Sequence, residues 1–136
     1  MTLWVPGMKI TASRLNDGPA VTTTNSGLVA ASGFTVNDFR GYRSGRTIVL
    51  DMYLLRTGAT ITQTSGNITP DVQICTAPIG WRPTNGTING PWDDGTSEGG
   101  FVIGTDGVCT LRTAYSDIAG SSTRNLRLHI GFIIDN

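Results

Sequence analysis

The sequence predicts an all-β chain: an antiparallel β-sandwich of jelly-roll type, preceded by a short arm and helix. Three observations carry this. Composition is the first: among 136 residues there are 20 Thr and 18 Gly, but a single Lys and a single Glu. Thr loses rotamer freedom in a helix and Gly loses the most backbone entropy, so this is poor material for a helix bundle. Alternation is the second. Ile48, Leu50, Met52 and Leu54 share one face of a strand, as do Leu126, Leu128, Ile130, Phe132 and Ile134 near the end of the chain. The third is punctuation: Gly, Asn and Asp turns divide the chain after residue 20 into a series of strand-length runs, the pattern of a sandwich.

Residues 1–19 form a first segment, an arm meant for docking. Trp4-Val5-Pro6-Gly7-Met8 is extended with a turn, and residues 10–19 predict one short helix. Thr11 suits an N-cap, Ile10 and Leu15 have the spacing of a hydrophobic staple, and Gly18-Pro19 stops the helix. So short a helix is marginal alone and has to dock. The arm packs either on its own domain or into a neighbouring protein, and Trp4, Val5, Met8, Ile10 and Leu15 are the anchor candidates.

The second segment, 20–136, is the β domain. Strands are predicted over 21–24, 28–31, 34–42, 46–57, 60–64, 72–75, 87–89, 101–103, 108–111 and 124–134. The last face of 46–57, with Val49, Asp51, Tyr53 and Leu55, is also largely apolar, which predicts cover on both sides. Thr105-Asp106-Gly107 joins 101–103 to 108–111 as a hairpin, because Asp-Gly supplies the positive φ angles of a tight turn.

Charge closes several function classes. Ten basic and ten acidic residues give no net charge, and only 15% of residues are charged. Duplex binding draws on a basic excess that neutralises phosphate, and none is present, so a nucleic-acid partner is not expected. Hydrophobic content of 38% with low charge supports a core rather than a disordered tail. No apolar run approaches bilayer length, so no membrane partner is expected. The start has no run of signal-peptide character, so synthesis in the cytosol is expected. Cys75 and Cys109 are then expected reduced, as small core or strand residues, and the triplets at Asn67 and Asn85 carry no glycosylation. A surface with so little charge points to burial among other subunits.

Catalytic and metal chemistry find little support. His129 is the only histidine, opposite the Leu126/Leu128/Ile130 face, and neither serine nor cysteine has the surroundings of a nucleophile. It is read as a satisfied or interface histidine, or as one of three meeting at a three-fold axis. Asp93 and Asp94 lack a third acid at calcium-loop spacing beyond Glu98, and Asp51 has no evident partner. No catalytic residue, cofactor or metal is expected. Trp81 and Trp92, placed in loops near Arg82, Asp93 and Asp94, either stack on sugar rings or cap the ends of the sandwich.

Several stretches resemble a known family. Gly66-Asn67-Ile68, Val72-Gln73-Ile74-Cys75 and the loop Pro78-Ile79-Gly80-Trp81-Arg82-Pro83 resemble a passage in small β-rich bacteriophage tail and fibre proteins. Their following strand, Asp-Gly, strand unit resembles residues 102–111, and residues 5–16 are similar to the leader of minor tail proteins of actinobacterial phages. The resemblance implies a non-enzymatic jelly-roll head domain, a homotrimer on the virion surface, assembled in the host cytoplasm. It carries no catalytic residues. With only 19 residues before the β domain a fibre shaft is not expected, so capsid decoration or a head spike stands beside a minor tail protein. Partners are then its own copies and, through the arm, capsid or tail proteins. The alternative is a host-surface glycan-binding head domain of a tail fibre.

Overall fold

The computed structural model of the chain describes residues 5–9, 11, 12 and 20–135. Its nine strands are β1 (Val21–Thr24), β2 (Val29–Ala30), β3 (Phe34–Ser44), β4 (Thr47–Arg56), β5 (Asn67–Thr76), β6 (Ile88–Asp93), β7 (Glu98–Ile103), β8 (Val108–Thr113) and β9 (Arg124–Ile133). The short helix expected over 10–19 lies almost wholly outside the described residues, as do Trp4, Ile10 and Leu15.

All pairings are antiparallel, and the strands make one sheet in the order β1-β3-β4-β9-β6-β7-β8-β5-β2. The sheet is curled. β2 is one of its edges and β3 lies beside the other edge, yet only residues 31–33 separate them, and the Phe34 N–H donates to the Ala31 carbonyl at 3.1 Å. A second observation gives the same closure. Met52 of β4 places its sulfur 3.9 Å from the Sγ atoms of both Cys75 on β5 and Cys109 on β8, strands from the far half of the sheet. The result is an all-β, antiparallel half-barrel.

Alternation decides what fills it. Ile48, Leu50, Met52 and Leu54 of β4 and Leu126, Leu128, Ile130 and Phe132 of β9 face inward and are buried. They meet Ile74 and Cys75 of β5, Phe101 and Ile103 of β7, and Cys109 and Leu111 of β8. The two halves join at a narrow seam, where β6 pairs with β9 only through Trp92↔Leu128 and Asp93↔Arg127. The expected strand at 60–64 is absent. Two isolated bridges stand in its place: Ile61 pairs with the loop residue Ile118, and Thr64 pairs with Asn67 across the turn that leads into β5, so no continuous ladder forms.

The outer face of β4 differs from the expectation of cover on both sides: within the single chain Asp51 is exposed, while Val49, Tyr53 and Leu55 are half-buried. The hairpin expected at Asp106-Gly107 is present. Gly107 has φ 82°, and the Asp106 carboxylate accepts from the Val108 N–H at 3.0 Å.

Two glycines separate packing from backbone freedom. A Cβ on Gly99 would collide with the Thr113 carbonyl, whereas one on Gly131 would meet nothing nearer than Val49 Cγ2 at 3.7 Å. Gly99→Ala is expected to cost about 2 kcal/mol or more in denaturant unfolding. Gly131→Ala should stay within about 0.5 kcal/mol.

The core thiols give a pH signature. Cys109 hydrogen-bonded to Cys75, together with burial, holds the Cys75 thiol well above its ordinary range. The unfolded chain ionises its thiols from about pH 8.5, while folded Cys75 keeps its proton, so the folded state binds more protons and stability falls as pH rises. Unfolding free energy measured from pH 7 to 10 should decline above that point, and Cys75→Val should flatten the decline.

Candidate functional site

Burial of one side of each strand forces the alternate residues outward, and register then sets them in rows. On the outer face of β3, β4 and β9, Arg40 is opposite Asp51 and Asp51 opposite His129. The next row runs Asp38, Tyr53, Arg127 and, across the seam, Asp93 on β6, which in turn faces Glu98 on β7. A bulge between Val36 and Asp38 shifts the β3 register, a device that re-aims side chains. At the bulge itself the Asn37 amide donates to Asn125 Oδ1 at 3.0 Å.

These rows line a cleft of about 620 Å³ straddling the seam, with Pro91 at its side. Its side chains hold one another in place. His129 Nδ1 lies 2.5 Å from Asp51 Oδ1, and Arg40 Nε lies 3.2 Å from Asp38 Oδ2. The Arg127 guanidinium stacks 4.9 Å from the centre of the Tyr53 ring. The Asp38 charge, with help from Tyr42, raises the Arg40 pKa, and a hydrogen bond with the Tyr53 side chain raises that of Arg127. Both guanidiniums are therefore fixed cations. Asp93 and Glu98 stand directly opposite, an unfavourable like-charge pair that Arg127 offsets from the other side.

The sequence-predicted contact residues are not brought together. Trp92 lies on β6 rather than in a loop. It is only 2% exposed and its Nε1–H donates to the Thr113 carbonyl at 3.0 Å, so the ring face belongs to the core. Trp81 is half-buried against the core, its ring seated where Gly41 leaves room, which matches an end cap. Arg82 donates through Nε to the Ala77 carbonyl at 2.7 Å and braces its own loop. Asp94 Oδ1 accepts from the Thr96 N–H at 2.9 Å and the Ser97 N–H at 2.6 Å, shaping a turn. Of the five, Asp93 alone presents a charge to the cleft, and its Oδ1 also accepts from the Gly95 N–H at 3.0 Å.

Asp51 has a partner that its sequence context did not suggest, namely His129. Sequence reasoning also missed Asp38, Arg40, Tyr53, Glu98 and Arg127. One signal pointed to all of these but Glu98: polar pairs two residues apart, Asp38/Arg40, Asp51/Tyr53 and Arg127/His129, alternating with the apolar Phe39, Met52 and Leu128. Chemically the cleft offers alternating donors and acceptors, while no serine, threonine or cysteine lies among its lining residues to serve as a nucleophile for His129. Among the described residues no three or more His, Cys, Asp or Glu side chains converge as a metal site. Of the arm, Val5 is exposed and Met8 half-buried. Comparison of the chain with protein-family models and with curated proteins finds no match.

The His129 and Asp51 side chains are 61% and 51% exposed, so water screens their attraction. A double-mutant cycle with His129→Gln and Asp51→Asn should give a coupling below about 1 kcal/mol. A much larger value would mean that the pair holds the fold rather than shapes the cleft.

Proposed function

We propose that this chain is a non-enzymatic structural protein of a phage virion, a homotrimeric surface module of capsid-decoration, head-spike or minor-tail type. In this reading the half-barrel is the jelly-roll-like head, a sandwich whose two halves remain stitched at the β6–β9 seam. Residues 1–19 attach it to capsid or tail proteins, and it resides in the virion.

The observation that carries the proposal is a patch of exposed aliphatic and hydroxylated side chains on the outer face, reaching β1, which among the described residues is an edge strand. Val21, Ser44, Thr47 and Ile133 form one row, and Thr23, Tyr42, Val49 and Gly131 the next. Val21, on the edge strand β1, is 66% exposed, and Ile133, at the end of the interior strand β9, is 75% exposed, large aliphatic side chains left open to water. A three-fold arrangement covers such a patch and edge at once. The low charge of the chain fits an assembly component.

The alternative, a host-surface glycan-binding head domain, draws support from a different place: the outer cleft with its paired carboxylates and guanidiniums.

Sedimentation velocity at micromolar concentration should show a trimer. Ile133→Glu should release monomers that remain folded, because on the free chain an exposed surface change stays within about 0.5 kcal/mol. A wild-type chain that sediments as a monomer overturns the trimer. Removal of residues 1–19 should leave a folded domain that no longer joins the particle.

A further inference from the structure

We infer that the outer cleft is a binding site for a neutral saccharide, held by the Arg40–Asp51–His129 row and by Tyr53, Arg127 and Asp93. This deepens the glycan-binding alternative and rests on it, but it moves the contact away from the tryptophan loops.

The ligand class follows from how the charges are arranged. Along one row a donor, an acceptor and a second ring nitrogen group alternate: guanidinium, carboxylate, imidazole. Along the other, the Asp38 carboxylate, the Tyr53 ring, the Arg127 guanidinium and the Asp93 carboxylate follow in turn. A sugar hydroxyl donates and accepts at the same time, so neighbouring hydroxyls are matched by acceptors and donors set side by side. An anion is poorly served. Arg40 is paired with Asp38, His129 with Asp51, and Arg127 lies beside Asp93, so each cationic group already faces a carboxylate. Glu98 adds further negative charge at the rim.

Shape and order agree with this class. The volume of about 620 Å³ falls within the ordinary range for ligand clefts. Pro91 supplies apolar surface against which the C–H face of a sugar ring packs, beside the Tyr53 ring, one face of which carries the Arg127 guanidinium. Mutual pairing holds the polar groups in place before the ligand arrives, which lowers the ordering cost of binding. Trp92, by contrast, is spent in the core and Trp81 on Gly41.

The test uses the full chain, labelled for amide NMR. It is titrated to about 10 mM, enough to fill a millimolar site. The neutral probes are mono- and disaccharides of glucose, galactose, mannose, rhamnose, arabinose and N-acetylglucosamine. An anionic arm uses alginate oligomers and a cationic arm uses glucosamine oligomers. The expected result is that at least one neutral saccharide shifts the amides of Asp51, Tyr53, Arg127 and His129. Asp51→Asn, and independently Tyr53→Leu, should each weaken that binding about tenfold with the remaining spectrum unchanged, while Trp81→Phe leaves it intact. Neutral saccharide shifts centred on Trp81 overturn the cleft assignment but keep the glycan reading. Binding in the cleft by the anionic or cationic oligomers alone overturns the ligand class. No shift from any probe overturns both.

Discussion

Burial of one side of a single curled sheet is the constraint on which the rest of this molecule depends. β2 and β3 sit near opposite ends of the sheet order but are consecutive in the chain, so the turn at 31–33 pulls the two ends together. Once the curl exists, the inward side chains of β4 and β9 must pack against those of β5, β7 and β8. Met52 touching both Cys75 and Cys109 is the atomic record of that closure. The apolar area removed from water supplies the driving force, at about 25 cal/mol for each Å².

The same constraint creates the outer surface. In a strand the side chains alternate strictly, so every residue committed to the core commits its neighbours to the opposite side. Two different surfaces result on one sheet. At the end of β3 that pairs with β1, and level with it across β4 to β9, many outward residues are apolar or hydroxylated, with Val21, Tyr42 and Ile133 exposed. Further along the same strands they are charged, and the narrow β6–β9 seam opens the cleft beside them. One surface suits contact with further copies and the other suits a polar ligand. The assembly reading and the glycan reading therefore draw on different residues.

How much of this was legible in the sequence is best seen in particular strands. β4 and β9 were readable because each carries four or more apolar residues at period two, a pattern that no helix satisfies. β6 was readable only as far as Asn89: Gly90, Pro91 and Trp92 look like a loop, and pairing with β7 and β9 keeps them in the sheet. The segment at 60–64 looked like a strand because Thr and Ile alternate there, but it has no long partner. Trp92 shows the same limit at the level of function. An aromatic ring beside two aspartates resembles a contact site until the fold places Thr113 over its indole N–H.

The all-β class, the buried faces of the long strands and the Asp106-Gly107 hairpin follow from the order of residues alone. Those are local properties, set by alternation, β-branched residues and glycine or Asp-Gly turns. Folding adds that the strands make one curled sheet, that β9 lies between β4 and β6, and that His129 meets Asp51 across 78 positions of chain. Strand order and register are non-local: any of several pairings would bury the same apolar faces. A residue two places along a strand tells which side a charge is on, but only the neighbouring strand tells what it meets.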